Sequence, residues 1–214
     1  MQRMNKVDLF ESVLRRAERK VLASLKSPAR IQRFLDRVIY RPGNDYICPV
    51  NVLRRREAHC FDGAVFAAAA LRRLGHPPKL LYMISDKDDH HMLALFRDHG
   101  CWGAISKSNL TTLGFREPVY RSIRELVMSY FDLFFNVHGF KSLRAYVGPL
   151  SLRQFDRLHW IRNDQALEVI STRLDWMRIV PLLKPSQIRR LEPTSRRVYK
   201  AGMLGANRKG LYYP

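Results

Sequence analysis

The sequence predicts an α+β fold: a small antiparallel sheet packed on a central helix bearing Cys60, flanked by N- and C-terminal helices. Three observations carry that expectation. The run 60–74 is dense in small residues (Gly63, Ala64, Ala67, Ala68, Ala69, Ala70), and small side chains let a helix lie close against its neighbours. Three short segments with strand character follow it, 79–84, 91–96 and 101–105, the last two separated by the turn-forming Arg97-Asp98-His99-Gly100. Helical periodicity marks the chain on either side, over 6–26 and over 164–180.

Each element has its own signal. In 6–26, Val7, Leu9, Phe10, Val13, Leu14, Ala17, Val21 and Leu25 recur at helical spacing opposite Arg15, Arg16, Arg19 and Lys20. Ser27-Pro28 pairs an N-cap with proline at the first helical position and opens a second helix to about Tyr40, where Arg41-Pro42-Gly43-Asn44 stops it. The stretch 44–59 reads as irregular and closes on Arg54-Arg55-Arg56. Gly75 and Pro77-Pro78 end the Cys60 helix. A polar loop, 106–118, leads to a helix from about Val119 to Phe135, and Ala166, Leu167, Val169, Ile170, Leu174 and Met177 mark the helix of 164–180. The tail 184–214 holds eight Lys or Arg against the single acid Glu192, with three prolines and three glycines. It reads as a mobile basic extension able to dock along the surface. The chain divides into N-terminal helices (1–40), a core (41–150), a helical extension (151–183) and the basic tail (184–214).

Of 214 residues, 46% are hydrophobic and 11% aromatic, which supplies a core and excludes wholesale disorder. Lys and Arg number 38 against 19 Asp and Glu, a net charge of +19 that favours nucleic acid, an anionic membrane surface or an acidic protein as partner. Basic blocks occur at Arg15–Lys20, Arg54–Arg56, Arg72-Arg73, Arg189-Arg190 and Arg196-Arg197, without a zinc finger, RNP signature, KH loop or helix-turn-helix. Tyr199, Tyr212 and Tyr213 could stack on bases or pin the tail to the core. Cys48, Cys60 and Cys101 form no C-x-x-C pair and no disulfide framework, so a reducing compartment is expected. The longest apolar run, 64–71, falls short of the ~20 residues of a transmembrane helix. The first thirty residues lack the apolar segment of a secretory signal. The expectation is a cytoplasmic protein with no transmembrane segment.

Chemistry concentrates in 59–109. Cys60 opens a helix, where free N–H groups and the helix dipole favour a thiolate, and His90 and His91 open a strand. A cysteine at a helix N-terminus and a histidine on a sheet strand can make a nucleophile–base pair. The bland alternative is a buried cysteine acting as a small hydrophobe and a polar strand end. The run Asp86, Asp88, Asp89, His90, His91 invites a metal, but successive strand residues face opposite ways and no second ligand cluster exists, so none is expected.

The pattern His59-Cys60-Phe61-Asp62-Gly63-Ala64, then 71–78, His91 and Gly100-Cys101-Trp102, resembles the transglutaminase-like superfamily. Residues 102–109 and 116–120 more closely resemble bacterial transglutaminase-like proteins of undefined substrate. The broad likeness spans roughly 55–107 and the closer one roughly 27–150. The resemblance implies a papain-like scaffold with Cys60 as nucleophile and His91 as general base. The reaction would be acyl transfer, or amide or peptide hydrolysis, through a Cys60 thioester without a cofactor. It puts the acid of the triad at Ser106, a departure, because a hydroxyl supports an imidazolium only weakly.

A two-residue turn at Asp98-His99 pairs His91 with Ser106; one at His99-Gly100 pairs it with Ser108 and leaves Ser106 diagonal; a three-residue turn brings Lys107 opposite. Asn109 is a further candidate orienter. The Cys60 N–H is a natural first oxyanion donor, with Asn44, Tyr46 and Asn51 open for the second. The alternative function is a non-catalytic relative of the same fold that binds an anionic partner, nucleic acid or acidic protein, through its basic surface.

Overall fold

The structure is a computed structural model that describes residues 8–43 and 45–214, with side chains from Phe10 onward. Val7 and Asn44 lie outside the described residues, and Leu9 outside the described side chains. The helix expected over 6–26 is two, α1 (Asp8–Glu11) and α2 (Arg16–Ser24). The break has a local cause: the Glu18 carboxylate reaches back to the Arg15 N–H at 2.7 Å and starts a new first turn there. Helix α3 (Pro28–Asp36) begins as expected, with Ser27 Oγ accepting from the Arg30 N–H, but ends early. The chain then extends as β1 (Ile39–Tyr40). The stretch expected to be irregular holds α4 (Pro49–Arg55), which has proline in its first turn, and β2 (Glu57–Ala58), parallel to β1.

Helix α5 (Cys60–Arg73) is the centre of the molecule. Its C-terminus closes through Gly75 at φ +93°, with the His76 N–H bonded to the Leu71 carbonyl, a left-handed cap that glycine adopts without strain. The small residues do what their size permits. A Cβ at Gly63 would lie 2.3 Å from Lys107 Cβ, and Ala64, Ala67 and Ala68 are wholly buried.

Helix α5 lies on a six-stranded antiparallel sheet built from β3 (Lys79–Ser85), β4 (His91–Asp98), β5 (Cys101–Ile105), β6 (Arg116–Tyr120), β7 (Leu143–Ser151) and β8 (Ile179–Pro181). The order across the sheet is β6-β5-β4-β3-β7-β8, and every neighbouring pair is antiparallel. Asp98 pairs with Cys101, so the β4–β5 turn is His99-Gly100, with φ of 44° and 82°. Two positive φ values are the mark of the type I′ turn that matches strand twist. That register leaves Ser106 diagonal to His91 and keeps Lys107 from standing opposite it.

Three regions depart from expectation. The polar loop 106–118 contains a 3₁₀ turn, Thr111–Leu113, and most of β6. The helix expected over 119–135 shrinks to α6 (Ile123–Met128), capped by Ser122, followed by a 3₁₀ turn at Phe131–Leu133. Helix α7 (Gln165–Asp175) stops short, and its expected last turns instead form edge strand β8.

The sheet separates two apolar layers. Leu80, Met92, Ala94 and Phe96 pack with α5, beside a Phe34–Phe66 stack at 4.9 Å. Leu81, Met83, Leu93 and Leu95 pack the other way, with Leu126, Val127, Tyr130 and Phe134. The alternation is the period of two that strands impose. The tail expected to be mobile is docked through α8 (Pro185–Ile188) and α9 (Arg196–Gly202). Thr194 N–H bonds Gly139 O at 2.8 Å, and Tyr199 donates its hydroxyl to Val137 O while its ring lies 5.6 Å from that of Phe135. Tyr199 is therefore a tail anchor.

Candidate active site

The first turn of α5 has two sides, and one of them is tied by a dense set of hydrogen bonds. His59 is the N-cap, its Nδ1 accepting from the N–H groups of Phe61 (3.1 Å) and Asp62 (3.4 Å). Asp62, fully buried, accepts from the N–H groups of Ile47 (2.9 Å) and His59 (3.3 Å) and from the Arg41 guanidinium (3.2 Å). Burial pushes the Asp62 carboxyl up to about 6 against these three donors, so at neutral pH it is ionised and paired with Arg41. Burial, reinforced by Arg41, drives His59 down to about 4, which keeps Nδ1 free to accept.

The other side carries Cys60. The β4–β5 ladder ends at Ala94–Ile105, so the backbone of 90–92 lies beyond it, and there the Cys60 sulfur meets it. The thiol donates to the His90 carbonyl at 3.8 Å, with the Met92 N–H facing the sulfur. Cys60 is half-buried as a residue, but its sulfur is packed deeply enough that burial pushes the thiol up to about 12, with Asp89 adding to the effect. This reverses the expectation of a thiolate: desolvation outweighs the helix N-terminus.

His91, 4% exposed, projects from the opposite face of β4, its ring edge-on to Phe134 at 6.3 Å. Its Nε2 donates to the Leu113 carbonyl at 3.2 Å, and burial holds the imidazole down to about 4 despite that bond. The resting pair is therefore a neutral thiol and a neutral imidazole. Both line one small cavity at the end of the sheet, of about 50 Å³.

Ser106 is close to His91 but is not its partner. Its hydroxyl donates to the same Leu113 carbonyl at 2.6 Å, and its backbone is clamped by Gln32, which accepts from Ser106 N–H (3.0 Å) and donates to Ser106 O (2.8 Å). The place expected for a side-chain acid is filled by the Leu113 backbone carbonyl, which no residue type announces in a sequence. Lys107 turns away from His91, its Nζ bonding the Leu35 and Val38 carbonyls at the end of α3. Asn109 does not orient His91 either; its amide is spent on 207–210.

The candidate oxyanion donors sort out the same way. Asn51 gives its amide to both Asp164 oxygens at 2.9 Å, and Tyr46 bonds Ser171 at 2.9 Å. Tyr40, which sequence reasoning missed, lines the cavity with Cys60. Burial raises its phenol, with the charges of Cys60, Asp89 and Asp62 adding in turn. The Cys60 N–H, first in α5, has no hydrogen-bond partner among the described residues. The acidic run also resolves. Asp88 accepts from Ser142 Oγ at 2.5 Å, while His90 Nδ1 accepts from the Ser85 N–H at 3.1 Å and the Ser85 hydroxyl donates to the Asp88 carbonyl at 2.8 Å. Asp89 stands open on the cleft, its carboxyl raised by burial.

Several basic blocks are spent internally: Arg54 pairs Glu18, Arg72 pairs Asp156 bidentately, and Arg73 pairs Glu11. Among the described residues no helix is long and apolar enough to cross a membrane.

Fold and site together define an α+β protein whose cysteine-bearing helix abuts an antiparallel sheet, with a histidine in the same cavity. Among solved structures the chain is similar to Legionella pneumophila LapG, at 16% identity and a TM-score of 0.35, covering 48% of this chain and 70% of that one. EGTA-treated Legionella pneumophila LapG is similar at the same identity and TM-score, covering 48% of this chain and 68% of that one. No family model and no curated protein sequence matches the chain.

Proposed function

We propose that the chain is a transglutaminase-like cysteine protein that performs acyl transfer or amide hydrolysis through a thioester on Cys60. The observation that supports it is the division of labour on His91: Nε2 is tied to Leu113 O, and the ring shares a cavity with the Cys60 thiol. A general base needs one nitrogen held and the other left to the nucleophile.

The step runs as follows. The Cys60 sulfur attacks the acyl carbon while its proton passes to His91 Nδ1, and the Leu113 carbonyl supports the imidazolium through Nε2–H. The substrate carbonyl oxygen takes the negative charge, held by the Cys60 N–H and the Tyr40 hydroxyl. The C–N bond breaks, His91 returns its proton to the departing amine, and the acyl group remains on sulfur. Water or a second amine, deprotonated by His91, then attacks the thioester. An acid or a new amide leaves, and the sulfur regains its proton. A neutral carbonyl supports imidazolium less than a carboxylate, so turnover is expected to be slow beside that of a full triad.

The test is a p-nitrophenyl ester of an N-acylglycine. A burst of p-nitrophenol with an acyl mass on Cys60 is expected, absent in Cys60→Ala and at least about a hundredfold slower in His91→Ala. No adduct, or equal acylation in His91→Ala, would move the reading to the non-catalytic binder of anionic partners.

A further inference from the structure

The cavity that holds Cys60 and His91 is walled on its open side by the chain itself. Met203, Gly210, Leu211 and Tyr212 line it, and Lys209 through Tyr212 also line the wider cleft that continues past Cys60 toward Asp89 and Asp175. The tail therefore runs through the place an acyl substrate would need.

The grip on this segment is of a particular kind. Asn109 reads its main chain, accepting from the Asn207 N–H at 2.8 Å and donating to the carbonyls of Asn207 and Gly210 at 2.9 Å each. Asn207 answers with its own amide on the Tyr40 carbonyl at 3.2 Å. Hydrogen bonds to backbone hold a peptide without regard to its side chains; pockets and close approaches then choose the sequence. Here the close approach is at Gly210. A Cβ on it would lie 2.8 Å from Tyr40 Cε1 and 3.0 Å from Cδ1, so any larger residue has to displace the ring of Tyr40, which lines the cavity with Cys60. Lys209, just before it, borders the cleft that also carries the carboxylates of Asp88, Asp89 and Asp175. Arg41 and Lys87 line the same cleft, so its rim is mixed in charge, with three carboxylates to two cations besides Lys209.

We infer that 207–212 occupies the substrate groove as a built-in competitor, and that the substrate is a peptide with glycine against Tyr40, preceded by a basic residue and followed by apolar ones. The inference rests on Cys60 as the acyl-accepting thiol, and it also explains why that thiol rests neutral: the occupied groove keeps water from the sulfur. Displacing the segment wets the cavity, restores solvation to thiolate and imidazolium, and exposes the nucleophile.

The test reads alkylation of Cys60 by iodoacetamide, located by peptide mass spectrometry, in the full-length protein. Gly210→Ala, which drives a methyl into Tyr40, and Asn109→Ala, which removes three hydrogen bonds, are each expected to raise the Cys60 rate about tenfold or more while leaving the circular dichroism spectrum unchanged. Millimolar Arg-Lys-Gly-Leu-Tyr-Tyr added to Gly210→Ala should restore the slow rate, and Arg-Lys-Ala-Leu-Tyr-Tyr should not. Unchanged alkylation in both variants, no protection by the glycine peptide, or equal protection by both peptides would overturn the inference. Because protection needs no chemistry, failed acylation with intact protection counts against the reaction and not against the groove.

Discussion

The two sides of the first turn of α5 use the same kinds of residue to opposite ends. His59 and Asp62 are buried and held by five hydrogen bonds that involve α5 itself, Ile47 and Arg41. Cys60, on the other side, has only a long 3.8 Å contact from its thiol, and His91, on the far face of β4, a single bond from Nε2. The two regions differ in how many bonds hold them. A densely hydrogen-bonded buried cluster stabilises a fold; groups left part-matched beside a cavity have capacity for a ligand.

The largest effect should come from the matched side. Asp62→Ala strands two buried N–H groups and takes from Arg41 one of its two carboxylate partners, Asp45 remaining, and should lower the unfolding free energy by roughly 3–5 kcal/mol in urea titration. A loss below about 1 kcal/mol would erase the contrast between the sides. Next comes the pH dependence of His91. Its folded value of about 4 lies below the ordinary 6.5, so the native state binds fewer protons between them. The stability it contributes is complete above about pH 6.5 and is lost as pH falls toward 4. Asp62 and Asp88, each raised to about 6, run in the opposite sense, their contribution present at low pH and lost as pH rises through 6. The informative quantity is therefore wild type minus His91→Asn. That difference should shrink by roughly 2–3 kcal/mol from pH 7 to pH 4 in chemical unfolding at each pH.

Ser106→Ala removes one hydroxyl bond to Leu113 O while His91 keeps its own, and should cost roughly 1–2 kcal/mol. It should leave the Cys60 acylation rate within about threefold of wild type, since the hydroxyl does not touch the imidazole. A loss of acylation as large as that of His91→Ala would restore Ser106 to the acid's place. The smallest change in stability should be Cys60→Ala, within about 1 kcal/mol by thermal melt, because the side that is part-matched contributes little to the fold.

What was legible in the sequence follows the physics of each element. The alanine run, with Gly75 and two prolines behind it, marked α5 to within a residue, and the strands β3, β4 and β5 carried enough apolar residues to stand out. Strand β7 alternates buried and half-buried residues, yet Gly148-Pro149 interrupts it with residues that ordinarily end strands. Edge strands β6 and β8 bury little and so leave little pattern. At the site, Cys60 and His91 were visible as residue types at a helix start and a strand start. The partner of His91 was not, because it is a backbone carbonyl. Tyr40 was hidden because the β1–β2 pairing, which sequence did not reveal, sets its place in the cavity, and the docked path of 207–212 because a basic extension able to dock carries no signal of where it docks.

The juxtaposition of sulfur and imidazole is tested most directly by ¹⁵N NMR of histidine-labelled protein, following His91 in wild type and in Cys60→Ala. The proposed chemistry requires the imidazole to reach the sulfur, and it predicts an imidazole with Nε2 protonated at pH 7 and a titration midpoint near 4 in wild type, with the Nδ1 shift and the midpoint both moving when the sulfur is removed. Identical Nδ1 shifts and midpoints in the two proteins would put the imidazole out of reach of Cys60 and contradict the thioester chemistry proposed for it.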